Sequence, residues 1–180
     1  MSELPPGDLA IVLEALGFAA HKHRDQRRKD AAASPYINHP IALANALVRE
    51  GGVSEPEVIA AALLHDTVED TKTTPAELGA AFGERVRRIV EEVTDDKSLP
   101  KAERKRLQIE HAATLSREAK LVKLADKICN LRDMAEHPPA SWDLARRREY
   151  FDWAKAVIDR LRGVHPKLEA AFDAAFARRP

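Results

Sequence analysis

Four ionisable residues follow an apolar run near the middle of the chain. The segment AALLHDTVED places His65 and Asp66 directly after its apolar residues, and Glu69 and Asp70 one turn further on. Residues three and four apart share one face of a helix, so these side chains are expected to lie close together. Buried ionisable groups are costly unless they pair or bind a metal. Because histidine nitrogen and carboxylate oxygen together suit a divalent metal, the spacing indicates part of a metal site.

Two residues from other parts of the chain could complete such a site. His39 follows the loop SPYIN and opens a helical segment, and Asp126 interrupts the apolar face of AKLVKLADKICNL. Helical bundles build metal sites from side chains on facing helices. Taken singly, His39 could be a hydrogen-bonded loop histidine, and Asp126 could pair with Lys123 or Lys127 on the helix surface. The metal interpretation therefore depends on the residues as a set.

The elements that must position these residues are predicted to be almost entirely helical. Apolar residues recur at three-and-four spacing, and Ser54 with Glu57 forms a capping-box pattern before one helix. No segment shows the alternation of a strand. The pattern predicts an all-α bundle of about eight to ten helices, with helical segments at 8–23, 41–50, 54–70, 73–83, 84–94, 99–115, 116–136, 148–163 and 166–179.

Composition limits the setting and the partners. A chain of 180 residues is long enough for one well-buried core, so residues 1–180 are expected to form a single domain. Basic and acidic residues balance at 29 each, which gives no bulk attraction to nucleic acid or to anionic membranes. No apolar run approaches the roughly 20 residues that span a bilayer, and the N-terminus lacks the pattern of a secretory signal. A cytoplasmic location is the prediction.

Several motifs, in order, resemble the HD superfamily of metal-dependent phosphohydrolases, and more narrowly the RelA/SpoT hydrolase domain. The resemblance rests on RRKD, PYINHP, ALLHDTVEDT, VTDDK, LPKAERKR and KLVKLADKICNLRD. It runs from about residue 8 to the C-terminal helices and is greatest to the small stand-alone alarmone hydrolases, which include the metazoan SpoT homologues. It implies an HD-domain helical bundle without a synthetase or regulatory domain. Such a chain is expected to degrade alarmone and not to make it.

The resemblance also implies the reaction and its residues. The family's metal, usually Mn²⁺, would be held by two histidines and two aspartates, His39, His65, Asp66 and Asp126. Glu69 and Asp70 match the family's catalytic acidic pair, which orients the attacking water and handles its proton. The substrate would be guanosine 3′,5′-bis(diphosphate), ppGpp, or its pentaphosphate form. Attack at the phosphorus on the ribose 3′ oxygen would release pyrophosphate and GDP or GTP.

Substrate contacts are carried over from the same resemblance. They fall on Arg28, Lys29, Lys101, Asn130, Arg146 and Tyr150. Guanidinium groups suit bidentate phosphate contacts, although the run of three arginines at 146–148 could equally be a solvated helix face. Cys129 stands where the large bacterial enzymes often carry histidine or an aromatic residue, which leaves the base preference open. It is otherwise expected to be a small buried hydrophobe.

Other functions fit parts of the pattern. The same catalytic set could remove a phosphate from a ribose 2′ or 3′ position, such as the 2′-phosphate of NADPH. A non-catalytic alarmone-binding module would keep the pocket but lose catalytic residues, and this chain retains Glu69, Asp70 and all four ligands. Nucleic-acid binding is disfavoured by the zero net charge. The physiological substrate, the metal used in the cell and the oligomeric state are not determined by the sequence.

Overall fold

The computed structural model describes residues 6–180, and this part of the chain is an all-α bundle. Its ten α-helices are α1 (Pro6–Lys22), α2 (Asn38–Asn45), α3 (Pro56–Leu64), α4 (Thr67–Asp70), α5 (Pro75–Phe82), α6 (Glu84–Val93), α7 (Lys101–His111), α8 (Arg117–Glu136), α9 (Leu144–Asp159) and α10 (Pro166–Phe176). Within these residues there is no strand, only an isolated antiparallel bridge between Arg27 and Pro35. The predicted all-α bundle of eight to ten helices is thereby confirmed. Residue 1, the predicted start of the domain, lies outside the described part.

Two helices form the centre of the bundle. Helix α3 is buried from Val58 to Leu64, because its sequence is apolar on every side, and it packs against α1, α2, α6 and α8. The longest helix, α8, buries Leu124, Ile128 and, as predicted, Cys129. The end of α3 and the middle of α8 therefore meet inside the protein. In the described residues no helix is long and apolar enough to cross a membrane.

The start of α3 differs from the prediction. Ser54 makes no capping contact, so the expected capping box with Glu57 is wrong. Glu55 occupies the N-cap position and Pro56 the first turn. Proline suits the first helical position because its fixed φ matches the helix and it has no N–H left unpaired there. The proline sets the start of this helix, and a serine cap is not used.

The predicted helix over 54–70 is also interrupted at the ionisable residues. Helix α3 ends at Leu64, His65 and Asp66 form a turn, and the short helix α4 begins at Thr67. Asp66 has φ −99° and ψ −1°, and the Thr67 hydroxyl donates to the Leu64 carbonyl at 2.7 Å. His65 and Asp66 therefore lie in the turn, whereas Glu69 and Asp70 lie on α4.

Candidate metal and catalytic site

Three of the four predicted metal ligands converge in the core. His39 comes from the first turn of α2, His65 from the turn after α3, and Asp126 from the middle of α8. Each offers a ligand atom, and these atoms all lie within 4.8 Å of one another. Asp126 Oδ1 is 3.1 Å from His39 Nε2 and 3.7 Å from His65 Nε2. Both histidines are buried.

Asp66, the fourth predicted ligand, lies beside these three. Its Oδ2 is 2.9 Å from His65 Nε2 and accepts a hydrogen bond from the Tyr36 hydroxyl. Burial and the Asp66 carboxylate raise the pKa of Tyr36 above its ordinary value, so this hydroxyl stays a donor. An Asp66 oxygen therefore faces the same histidine nitrogen that faces Asp126.

The chemistry of these residues fits a divalent metal. His65 Nδ1 contacts the Ala62 carbonyl at 2.8 Å, and since a carbonyl only accepts, the ring proton is assigned to Nδ1. Nε2 is left buried and without a hydrogen-bond partner, facing carboxylate oxygens. Burial opposes a charge on this ring, but Asp66 and Asp126 outweigh burial and raise the pKa of His65 to about 9. A position that attracts a proton so strongly also suits a cation, and the nitrogen and oxygen donors match Mn²⁺, Fe²⁺ or Zn²⁺.

Asp126 is held in place by two neighbours on its own helix. Asn130 Nδ2 donates to Asp126 Oδ1 at 2.7 Å, and Lys127 Nζ donates to Oδ2 at 3.1 Å. Burial favours the neutral acid, but Lys127 and the two histidines outweigh it and keep the pKa of Asp126 well below its ordinary range. Contacts of this kind orient metal ligands and tune their basicity. Asn130, predicted to bind substrate, thus also contacts a predicted ligand.

The predicted acidic pair is divided between two environments. Glu69 lines a cavity of about 180 Å³ together with the four predicted ligands, and its Oε2 accepts from the Asp95 backbone N–H at 3.1 Å. Burial, with the nearby Asp95, Asp66 and Asp70 carboxylates, raises the pKa of Glu69 to about 7. Asp70 lies outside the lining of that cavity and pairs with Lys97. Glu69 therefore has the position and proton affinity of a general base, and Asp70 borders the site.

A second cavity of about 440 Å³ adjoins the first. The two cavities share walls formed by Arg28, Tyr36, His39 and Asn130. Two further predicted substrate residues, Lys29 and Tyr150, line the larger cavity. A nucleotide-sized space therefore lies next to the cavity that the predicted metal ligands line.

The remaining predicted substrate residues flank an aromatic wall of this larger cavity. Trp142 lines it, with the Arg146 guanidinium 4.2 Å and the Lys101 ammonium 5.7 Å from its ring centroid. The Tyr150 ring lies 5.8 Å from Trp142. Burial and then Arg146 and Lys29 lower the pKa of Lys101, which shows that cations are concentrated here. Aromatic faces bordered by cations suit a base attached to phosphates.

Some residues of the site were not singled out from the sequence. Among them are Tyr36, Asp95, Asp133 and Trp142. Two of these residues contact Arg28, which was predicted: Asp133 pairs with it at 2.5 Å, and the Tyr36 ring centroid lies 5.8 Å from its guanidinium carbon. Tyr36, Asp95 and Asp133 had a signal in the sequence, because they stand in the motifs PYINHP, VTDDK and KLVKLADKICNLRD. Trp142 lies outside these motifs, and only its tertiary contacts bring it to the site.

Comparison with known proteins agrees with this geometry. A model of the HD domain family matches residues 15–152. The guanosine-3′,5′-bis(diphosphate) 3′-pyrophosphohydrolase MESH1 of Xenopus tropicalis is 57% identical over 169 residues, covering 94% of each chain. MESH1 of Homo sapiens is 55% identical over 172 residues, covering 96% of each. One solved structure matches this chain with a TM-score of 0.93 and 49% sequence identity, covering 99% of this chain and 98% of that chain. It is described as a metazoan ortholog of SpoT that hydrolyzes ppGpp and plays a role in starvation responses.

The family match covers both predicted histidines, the HD turn and Asp126. The fold and the order of motifs agree with the resemblance drawn from the sequence. This chain belongs to the HD domain family.

Proposed function

We propose that this chain is a metal-dependent hydrolase that cleaves ppGpp or its pentaphosphate form at the ribose 3′ position. Its products are pyrophosphate and GDP or GTP. The observation that carries the proposal is the convergence of His39, His65 and Asp126 beside Glu69 in the smaller cavity, which shares walls with the larger one. Relatives 55–57% identical over most of the chain are named as 3′-pyrophosphohydrolases of this nucleotide, which supports the same assignment.

The proposed metal is Mn²⁺, with two nitrogen and two oxygen ligands from His39, His65, Asp66 and Asp126. Bound there, it supplies Lewis acidity that polarises phosphate oxygens and makes water a better nucleophile near neutral pH. Lys127 and Asn130 keep the Asp126 carboxylate in one orientation. The carboxylates and imidazoles provide the charge and the donor types that such an ion needs.

The acidic residues carry the proton steps. Glu69 takes a proton from the attacking water, and Asp70 is proposed as the second acidic residue that orients this water. A new oxygen–phosphorus bond forms at the phosphorus on the ribose 3′ oxygen, and the bond from that phosphorus to the ribose oxygen breaks. The ribose oxygen takes up a proton and leaves as the nucleotide hydroxyl. The incoming oxygen remains on pyrophosphate.

The larger cavity is proposed to bind the nucleotide. Arg28 and Lys29, which line this cavity, contact phosphates, and Lys101 and Arg146 provide positive charge beside Trp142. Tyr150, together with Trp142, offers aromatic surface to the base, and Asn130 connects this cavity to Asp126. The substrate carries several negative charges, so this concentration of cations favours its binding.

An assay of separated products tests the assignment. Purified protein is incubated with Mn²⁺ and either ppGpp or NADPH, and pyrophosphate and orthophosphate are measured separately. Pyrophosphate from ppGpp, abolished by a chelator and by Asp66→Ala, is the expected result. Orthophosphate from NADPH without cleavage of ppGpp would replace the assignment by a 2′-phosphatase. Binding of ppGpp without either product would replace it by a non-catalytic alarmone-binding module. A cytoplasmic location stays a prediction.

A further inference from the structure

The connection between α1 and α2 folds back on itself beside the active site. This connection consists of residues 23–37 and is called the 23–37 loop. It contains the bridge between Arg27 and Pro35. The Arg28 backbone N–H donates to the Ser34 carbonyl at 2.8 Å, and the Tyr36 N–H donates to the Gln26 carbonyl at 3.1 Å. These bonds hold the two ends of the loop side by side. The loop therefore presents Gln26 and Tyr36 together to the segment that contains the HD turn.

Two side chains of the 23–37 loop reach that segment at different points. The Tyr36 hydroxyl donates to Asp66 Oδ2, the carboxylate oxygen nearest to His65 Nε2. The Gln26 amide nitrogen donates to the Asp70 backbone carbonyl at 2.7 Å. One contact acts on a predicted metal ligand and the other on the backbone of a predicted catalytic residue.

A buried histidine joins these two side chains. His23 is 2% exposed, and its ring centroid lies 4.8 Å from that of Tyr36. Its Nδ1 is 2.7 Å from Gln26 Oε1. Since the Gln26 amide nitrogen faces Asp70, Oε1 must accept, and His23 Nδ1 donates. His23 thereby fixes the orientation of the Gln26 amide and packs against the Tyr36 ring.

We propose that Tyr36 and Gln26 are positioning residues of the reaction: Tyr36 fixes the Asp66 carboxylate toward the metal, and Gln26 fixes the backbone that carries Asp70. This rests on the proposed function, in which Asp66 is a ligand and Asp70 belongs to the acidic pair. A hydrogen bond to a metal ligand restricts the orientation of that ligand. Its removal typically weakens metal binding about 10- to 100-fold. The two residues are expected to affect different steps.

Tyr36→Phe tests the first half of the proposal, because it removes only the hydroxyl. Titration calorimetry with Mn²⁺ alone should give a Kd about 10- to 100-fold weaker than that of the unchanged protein. At saturating Mn²⁺ most of the turnover should return. Thr94→Val is the matched control: it removes another half-buried hydroxyl, which donates to the Val90 carbonyl at 2.7 Å, and should leave the Mn²⁺ affinity unchanged. Wild-type affinity in Tyr36→Phe would overturn the role of this tyrosine.

Gln26→Met tests the second half. This substitution keeps the length of the side chain and removes its hydrogen bonds to His23 and to the Asp70 carbonyl. The Mn²⁺ affinity should stay the same, because no predicted ligand loses a contact. The value of kcat should fall about tenfold, which corresponds to roughly 1.4 kcal/mol on the activation barrier. Urea unfolding checks that both variants are folded. A Gln26 variant that weakens Mn²⁺ binding instead, or that retains full kcat, would overturn its assignment.

The calorimetry also separates this proposal from the proposed function. If the unchanged protein binds Mn²⁺ but cleaves no ppGpp, the hydrolase assignment fails, and the affinities of the Tyr36 variant still decide the role of Tyr36. If ppGpp is cleaved and Tyr36→Phe binds Mn²⁺ normally, only the positioning proposal fails. If the unchanged protein binds no divalent cation, both are wrong.

Discussion

At the scale of single residues, Glu69 is the group whose surroundings most directly favour catalysis near neutral pH. Its pKa of about 7 results from burial and from neighbouring carboxylates. A general base acts in its charged form, so kcat/KM should rise with pH and level off above the pKa. A bound cation favours the carboxylate, which places this rise at or below about pH 7.

A pH profile of kcat/KM tests this role. Glu69→Gln should lower kcat/KM by about 10²- to 10⁴-fold and remove the rise with pH. A Glu69→Gln variant that keeps the same rise would show that another group is the base.

The same burial should cost stability. The folded pKa of Glu69, about 7, is above its ordinary value of 4.5. The unfolded chain therefore releases this proton first, and stability falls as pH rises between these values and stays lower above them. With a chelator at pH 8, Glu69→Gln should raise the free energy of unfolding by about 1–3 kcal/mol. Urea unfolding at pH 4 should show almost no difference, and a destabilised variant at pH 8 would contradict the account.

Ligands and base should separate experimentally. Asp66→Ala removes an oxygen that faces His65, so metal and activity should be lost together. Glu69→Ala should keep the metal and lose most turnover, because Glu69 contacts the Asp95 N–H and not the predicted ligands. Bound Mn²⁺ measured by electron paramagnetic resonance, beside turnover, distinguishes these results. Full turnover in Glu69→Ala would exclude its assigned role.

At the scale of elements, the connection between α6 and α7, residues 94–100, contacts both members of the acidic pair. The Asp95 N–H donates to Glu69, and Lys97 pairs with Asp70. Lys97 is 48% exposed, so the pair should add less than about 1 kcal/mol to stability. Its effect is expected in the orientation of Asp70.

A double-mutant cycle measures that effect. Lys97→Ala should lower kcat about fivefold, equivalent to roughly 1 kcal/mol, and should have no further effect in an Asp70→Asn background. Equal losses in the two backgrounds would show that Lys97 acts independently of Asp70. Unfolding in urea, measured for the same variants, provides the control for stability.

The helices were predictable from the sequence, and the local geometry of the site was not. Apolar spacing continues from Val58 through Leu64 to Val68, so it gave no sign of the turn at His65 and Asp66. That turn depends on backbone angles at Asp66 and on the Thr67 hydroxyl bond. Periodicity locates apolar faces, but the end of a helix inside an apolar segment is decided by such local bonds.

The long-range part of the site was inferred from ordered motifs. His39 and Asp126 are 87 positions apart, and their 3.1 Å contact exists only because α2 and α8 pack together. The resemblance to the RelA/SpoT hydrolase domain predicted that His39 and Asp126 share a metal site. Their spacing in the sequence did not decide whether they meet. Asn130 follows Asp126 by four residues, so helical spacing agrees with their contact, but neither spacing nor resemblance could show that Tyr36 holds Asp66.

At the scale of the whole molecule, the zero net charge conceals a concentration of ionisable groups at the two cavities. Carboxylates line the smaller cavity together with Lys123 and Lys127, and cations from the 23–37 loop, α7 and α9 lie at the larger cavity. In the described part of the chain, a core cluster of buried residues, from Ala15 to Ala175, packs these elements together.

The most direct test of the central claim is an anomalous difference map, measured at the manganese edge from crystals soaked in Mn²⁺. The account predicts one strong peak bonded to His39, His65, Asp66 and Asp126, lost in crystals of the Asp66→Ala variant. A peak at another position, or no peak in protein that still cleaves ppGpp, would contradict it.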